Sequence, residues 1–139
     1  MNNINEVQDE IIEEFSKLDD WFDKYEYIIK LGKNFEKLDE DIKNDKNSIP
    51  GCQSQVWIKA YFKDKKMHYL AEGDSLIVKG MIYLLLKVLN NRTPEEILNS
   101  DLYFIEKIGL STNLSPSRAN GLMSVLNQIR SYAKTYSNK

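Results

Sequence analysis

The sequence is organised around the stretch Pro50-Gly51-Cys52-Gln53-Ser54-Gln55-Val56-Trp57, which carries the only cysteine among 139 residues. A Pro-Gly pair is typical of a turn, because proline fixes one backbone dihedral angle and glycine tolerates a positive one. From Val56 to Lys63 apolar and polar side chains alternate, which predicts a half-buried β-strand. The thiol is therefore predicted to lie where a loop enters a sheet. From this spacing alone, a small packed cysteine and a reactive one both remain open.

A second strand is predicted directly after the first. Asp64-Lys65-Lys66 is a short polar turn, and apolar side chains alternate with others again over residues 67–72. This pattern is typical of the returning arm of a hairpin. Because an isolated hairpin is only marginally stable, residues 48–52 are predicted to add a third strand.

The remaining segments predict helices. Residues 4–15 and 21–31 repeat apolar side chains at helical spacing, and residues 76–90 are apolar almost all round, as in a buried central helix. Gly80 inside that helix predicts the close approach of another backbone. Thr93-Pro94 and Ser115-Pro116 combine a cap with a proline in the first helical position. A further helix is predicted over 101–108.

The sum of these elements is the α+β class: a small three-stranded antiparallel sheet packed against several helices. Residues 33–50 are predicted to form a loop, with a short helical turn near residues 39–43. The length favours one domain over residues 1–139.

Composition and charge exclude several functions. With 19 basic and 21 acidic residues the net charge is −2, and no basic stripe predicts nucleic-acid binding. No apolar run approaches the ~20 residues that cross a bilayer, and the first residues do not resemble a signal peptide, so we expect a cytoplasmic protein without membrane contact. One cysteine and one histidine, His68, leave a metal site short of ligands unless two chains share it.

Three stretches of the sequence resemble, in the same order, the SufE family of sulfur acceptors that work with cysteine desulfurases. They are Gly51-Cys52-Gln53-Ser54-Gln55-Val56-Trp57, Asp74-Ser75-Leu76-Ile77-Val78-Lys79-Gly80 and Leu114-Ser115-Pro116-Ser117-Arg118-Ala119-Asn120-Gly121. The similarity extends from about Val7 to Ala133.

The resemblance implies a domain similar to the iron–sulfur scaffold fold, with Cys52 at the tip of a loop. It also implies that Cys52 takes the terminal sulfur from a persulfide on a SufS-like desulfurase and stimulates that enzyme. The sulfur then passes to the iron–sulfur cluster assembly scaffold. The pyridoxal phosphate belongs to the desulfurase, so this chain would need no cofactor and would not act as a stand-alone enzyme.

The same resemblance assigns supporting residues. Arg118 is the basic residue expected near the thiol, and Asp74 lies on the loop expected to border it. A free thiol with a pKa of ~8.5 is only a few per cent ionised at neutral pH, so Arg118 and backbone N–H groups are predicted to stabilise the thiolate. Gly51 is predicted to form the turn. Gln53 and Ser54 either bond the loop backbone or contact the partner.

Two other functions compete with this one. The first is a non-catalytic adaptor that binds a partner through the Trp57 face and buries Cys52 as a structural residue. The second is a cysteine hydrolase with Cys52 and His68 as its dyad, although no third orienting group is evident. The oligomeric state stays open, a homodimer included, as does the resting orientation of the thiol.

Overall fold

The structure is a computed structural model, and it describes residues 3–34, 43–49 and 55–137. Within these ranges the chain forms seven helices and two strands. In order they are α1 Ile4–Ser16, α2 Trp21–Gly32, β1 Val56–Lys63, β2 Lys66–Gly73, α3 Leu76–Leu89, α4 Pro94–Leu98, α5 Phe104–Lys107, α6 Leu110–Asn113 and α7 Pro116–Tyr136. The α+β class is confirmed. The predicted helical turn near residues 39–43 falls almost wholly outside the described residues.

Side-chain caps begin α1, α2, α4 and α7, and the caps at Thr93 and Ser115 are the ones that the sequence predicts. Asn3 and Glu6 form a capping box at α1, and Thr93 and Glu96 form another at α4. At α7 the Ser115 side chain accepts a hydrogen bond from the Arg118 backbone N–H. At α3, however, the Ser75 side chain makes no capping hydrogen bond.

The hairpin forms as predicted. β1 and β2 pair antiparallel from Val56 opposite Gly73 to Lys63 opposite Lys66. One face of the hairpin points into the core, where Ile58 and Met67 are fully buried. The other face carries Trp57, Lys59, Tyr61 and Lys63 on β1, because side chains alternate along a strand.

The prediction of a third strand is wrong for the part of it that the structure describes, since the sheet there has two strands. Ser48 forms a single bridge to Trp57. The Ile49 N–H donates to the Val56 carbonyl at 2.9 Å, and the Ile58 N–H donates to the Asn47 carbonyl at 2.9 Å. On the upstream side the pairing ends at a turn over residues 44–47. The remainder, residues 50–52, lies outside the described residues.

Helices α2 and α3 pack backbone against backbone. A Cβ atom added at Gly80 would overlap the Ile28 carbonyl group of α2, with its carbon only 2.7 Å away. A Cβ added at Gly32 would likewise overlap the Leu76 carbonyl oxygen of α3. The close approach predicted from Gly80 is therefore confirmed, and α3, with nine of its residues buried, is the centre of the core.

The prediction of one helix over residues 101–108 is wrong in extent. Only Phe104–Lys107 is helical there, and α6 begins after Gly109, whose φ of 90° is left-handed. The buried side chain of Gln8 replaces the missing helical bonds. Its amide donates to the Asp101 carbonyl at 3.0 Å and accepts from the Phe104 N–H at 3.1 Å. A side chain from α1 therefore holds this segment in a non-helical form.

Candidate functional site

The structure describes the residues on both sides of the segment that contains Cys52. Gly51, Cys52, Gln53 and Ser54 themselves lie outside the described residues. On the upstream side, Ile49 is bonded to Val56. On the downstream side, the Gln55 N–H donates to Asp74 Oδ1 at 3.1 Å, and the Asp74 N–H donates to the Gln55 carbonyl at 3.2 Å. The structure thus places Asp74 in the turn between β2 and α3, where two reciprocal hydrogen bonds fix Gln55.

A partly buried ion pair lies beside this attachment. The Lys79 Nζ is 3.0 Å from Glu72 Oε1, and the Glu72 side chain is only 7% exposed. The same carboxylate oxygen accepts a hydrogen bond from the Gly73 N–H at 3.0 Å. This pair was not predicted from the sequence. The sequence feature that could have predicted this ion pair is the presence of two opposite charges on either side of the Gly73-Asp74-Ser75 turn.

Several groups act on the pKa of Glu72. Burial alone would raise it, but the hydrogen bond from Lys79, the Gly73 N–H and the charges of Lys79 and Lys43 together lower the pKa below its ordinary value of 4.5. The folded state therefore binds this proton less tightly than the unfolded chain does. The stabilisation is present at neutral pH and is lost as the pH falls from the unfolded pKa through the folded one.

Lys43, which precedes the Cys52 segment in the chain, lies close to the Glu72–Lys79 ion pair. Its ammonium group lies over the Trp57 ring, 5.6 Å from the ring centre. Trp57 is directly opposite Glu72 in the hairpin register. Lys43, Trp57, Glu72 and Lys79 thus form one charged and aromatic cluster at the end of the hairpin where the Cys52 segment begins and ends.

Arg118 lies in the first turn of α7 and is partly buried. Its Nη1 donates to the Tyr25 hydroxyl of α2 at 3.4 Å, and its guanidinium carbon is 5.9 Å from the centre of the Tyr25 ring. Tyr25 also makes an edge-to-face contact with Trp21. Tyr25 is therefore the side chain that orients Arg118.

Arg118 and the start of α3, shortly after Asp74, both contact helix α2. No hydrogen bond or ion pair joins the two residues within the described part of the chain. Tyr25, which holds Arg118, and Gly32, which contacts the start of α3 after Asp74, are seven positions apart and so share one face of α2. Their separation along the axis is about 10 Å. The guanidinium group and the Asp74 turn therefore lie along the same side of one rigid helix.

His68 is placed away from this site. Its ring stacks on Tyr61 with centroids 5.0 Å apart, and its Nε2 is 3.3 Å from the Lys63 carbonyl oxygen. Tyr61 is six residues along the strand direction from Gln55, a distance of about 20 Å.

No group of three or more potential metal ligands occurs among the residues that the structure describes. Over the same ranges, none of the helices is both long enough and apolar enough to span a membrane.

Comparison with known structures agrees with this architecture. The fold matches the solution structure of a hypothetical protein from Thermus thermophilus with a TM-score of 0.76, covering 96% of this chain and 97% of that one. The two sequences are 17% identical, so the likeness concerns the fold alone.

Comparison of sequences identifies the family. Residues 9–133 match SufE, described as the Fe-S metabolism associated domain. The chain is 37% identical over 131 residues to an uncharacterized SufE-like protein of Rhizobium meliloti, covering 91% of this chain and 94% of the relative. An uncharacterized SufE-like protein of Synechocystis is 38% identical over 123 residues, covering 88% of this chain and 77% of the relative. The chain belongs to the SufE family, and through it to iron–sulfur metabolism.

A plant relative bears on location. The chain is 40% identical over 118 residues to SufE-like protein 1 of Arabidopsis thaliana, covering 84% of this chain but 32% of that longer protein. That relative is named chloroplastic/mitochondrial. The cytoplasmic location of this chain therefore stays a prediction.

Proposed function

We propose that this protein is a sulfur acceptor in which Cys52 takes persulfide sulfur from a pyridoxal-phosphate-dependent cysteine desulfurase and passes it to an iron–sulfur assembly scaffold. The observation that supports this best is the pair of hydrogen bonds between Gln55 and Asp74. They fix the end of the segment that carries the only cysteine to a rigid turn. A covalent carrier needs its thiol on such a supported segment, so that a partner meets it in a reproducible place.

The proposed transfer is a balanced exchange between sulfur atoms. The Cys52 thiolate attacks the outer sulfur of the donor persulfide, a new S–S bond forms on Cys52, and the old S–S bond breaks. The donor cysteine leaves as a thiolate with the electron pair. No external oxidant is consumed, and neither a metal nor a general-base histidine is required.

The direct test is to incubate the protein with a cysteine desulfurase and free cysteine and to measure its intact mass. One additional sulfur atom is expected, and fragmentation should place it on Cys52. Treatment with a thiol reductant should remove it, because a persulfide is reducible. A protein whose mass stays unchanged while the desulfurase turns over would contradict the proposal.

We expect Arg118→Ala to slow sulfur transfer about tenfold, because a cationic group that lowers a thiol pKa by one unit raises the thiolate fraction at neutral pH by nearly that factor. The readouts are the rate of persulfide formation and the pH profile of Cys52 alkylation by iodoacetamide. The matched control is Arg118→Lys, which keeps the charge but loses the planar guanidinium contact with Tyr25. Unchanged rates and an unchanged alkylation profile in Arg118→Ala would remove this residue from the mechanism.

The hydrolase alternative gains no support from the geometry. His68 is stacked on Tyr61 toward the turn end of the hairpin, about 20 Å along the strand from Gln55. The three-residue link from Gln55 to Cys52 can span at most about 11 Å, so a dyad with His68 would lie beyond the reach of its backbone. The adaptor alternative is separated from the carrier by substitution of Cys52 with serine.

A further inference from the structure

The distal half of the hairpin is basic in a chain that is otherwise acidic. Residues 59–66 contain four lysines and one aspartate, a net charge of +3, whereas the whole chain carries −2. The rest of the chain therefore carries −5, obtained by subtracting +3 from −2. We call this surface the basic hairpin face and define it by Lys59, Tyr61, Lys63, Lys65, Lys66 and His68.

The face is solvent-exposed and organised. Lys59, Lys63 and Lys65 are exposed, and Tyr61 keeps 44% of its surface in contact with solvent. The parallel stack of Tyr61 on His68, with 16° between the ring planes, provides a flat aromatic surface between the lysines. Exposed tyrosine is enriched at contact surfaces, because its ring contributes apolar area with little conformational entropy to lose.

The turn at the tip carries a charge where the backbone favours glycine. Asp64 and Lys65 have φ angles of 54° and 65°, so both central residues of the two-residue turn are left-handed. Asparagine followed by glycine is the favoured pair for such a turn. A lysine at the second position costs about 1 kcal/mol, and the exposed Lys65 gains no packing in return. Backbone strain without a packing benefit points to a role for the side chain itself.

The acidic groups near the face neutralise it only in part. Asp64 lies at the tip itself. Glu96 interacts with Lys66. The hydrogen bond from the Thr93 backbone is the main cause that lowers the pKa of Glu96, and the charge of Lys66 lowers that pKa further. The exposed ammonium groups of Lys59, Lys63 and Lys65 extend along about 15 Å of hairpin, the length of some five extended residues.

From this charge and shape we infer that the basic hairpin face is a docking surface for a short acidic segment of a partner protein. An extended acidic peptide of about five residues matches the length of the face. A nucleic acid fits less well, because a polyanion longer than the face would continue over a surface of net negative charge. The inference does not depend on the proposed sulfur transfer, since His68 and Tyr61 lie about 20 Å from Gln55.

The test uses fluorescein-labelled hexaglutamate as the probe and fluorescence anisotropy as the measurement. We expect the full-length protein to bind it at low ionic strength, and to bind it more weakly at about 0.15 M salt, where surface charges are screened. The double variant Lys63→Glu/Lys65→Glu should weaken binding at least about tenfold. The matched control, Lys17→Glu/Lys107→Glu, changes the net charge equally at exposed lysines of the α1 end and α5 and should leave binding nearly unchanged.

A second variant separates binding from folding. Lys65→Gly should relieve the left-handed backbone and raise Tm by about 3 °C, while it weakens hexaglutamate binding several-fold. A variant that is more stable and yet binds less cannot be explained by misfolding. The sulfur acceptance of both hairpin variants should equal that of the unmodified protein, which keeps this test distinct from that of the proposed function.

Four results would overturn the inference. They are absence of hexaglutamate binding at low salt, equal weakening by the hairpin and control variants, equal or tighter binding of a labelled hexathymidylate, and salt-dependent self-association that the hairpin variant abolishes. The second would reveal a simple net-charge effect, and the third a general polyanion site. The fourth would identify a second copy of this chain as the occupant.

Discussion

Replacing Cys52 with serine is expected to abolish sulfur acceptance completely while the fold and the binding of the desulfurase persist. Serine keeps the shape of the side chain, but its hydroxyl is not ionised at neutral pH and cannot displace a thiolate from a persulfide. Because the protein has no other cysteine, no second thiol can substitute. The measurements are the intact mass after incubation with desulfurase and cysteine, Tm, and affinity for the desulfurase.

A relocated thiol provides the matched control for this prediction. The double variant Cys52→Ser/Ser111→Cys restores one cysteine at an exposed position on α6. It should accept sulfur no faster than free glutathione does, because Ser111 has no attachment comparable to the Gln55–Asp74 hydrogen bonds. Full acceptance by the relocated thiol would show that position is irrelevant. Retention by Cys52→Ser of all effects on the desulfurase would favour the adaptor function.

The second large effect concerns stability, and it is expected from Gly80→Ala. Alanine is the better helix former by about 1 kcal/mol, so an isolated helix would gain from this change. In the folded protein the new Cβ would overlap the Ile28 carbonyl group, which belongs to the backbone of α2 and cannot rotate away. Overpacking of this kind costs about 3 kcal/mol, so the net loss is about 2 kcal/mol.

A net loss of this size should lower Tm by about 8 °C in thermal unfolding followed by circular dichroism. Gly73→Ala is the matched control, because a Cβ at Gly73 meets nothing closer than 3.7 Å, an ordinary van der Waals distance. That control should change Tm by no more than about 2 °C. A Gly80→Ala protein as stable as the unmodified chain would show that α2 and α3 can move apart at little cost.

Local signals in the sequence account for most element boundaries. The alternation over residues 56–63 predicts β1 as the structure has it, and the capping box at Thr93 predicts the start of α4. The helix over 101–108 is interrupted by Gln8, ninety-three residues from Asp101 in the chain, and no local pattern announces such a bond. The third strand is reduced, in its described part, to the bridge from Ser48 to Trp57, and upstream of it the chain turns at residues 44–47.

For the candidate site, the sequence predicted individual residues but not their partners. Asp74 and Arg118 were selected by resemblance, and the structure supplies Gln55 for the first and Tyr25 for the second. Glu72 with Lys79, and Lys43 with Trp57, were not predicted at all. Each of these pairs joins residues from different elements, so its members become neighbours only when the chain has folded.

By itself the sequence determined most of the elements, the α+β class and membership of the SufE family, because periodicity, caps and motif residues act over short stretches of chain. Only the tertiary structure decided that the Cys52 segment is held by Asp74, that α2 relates Asp74 to Arg118, and that the lysines of residues 59–66 share one exposed face. The physical reason is that hydrogen bonds and charges act over a few ångströms in space. Distance along the chain does not show which side chains come that close.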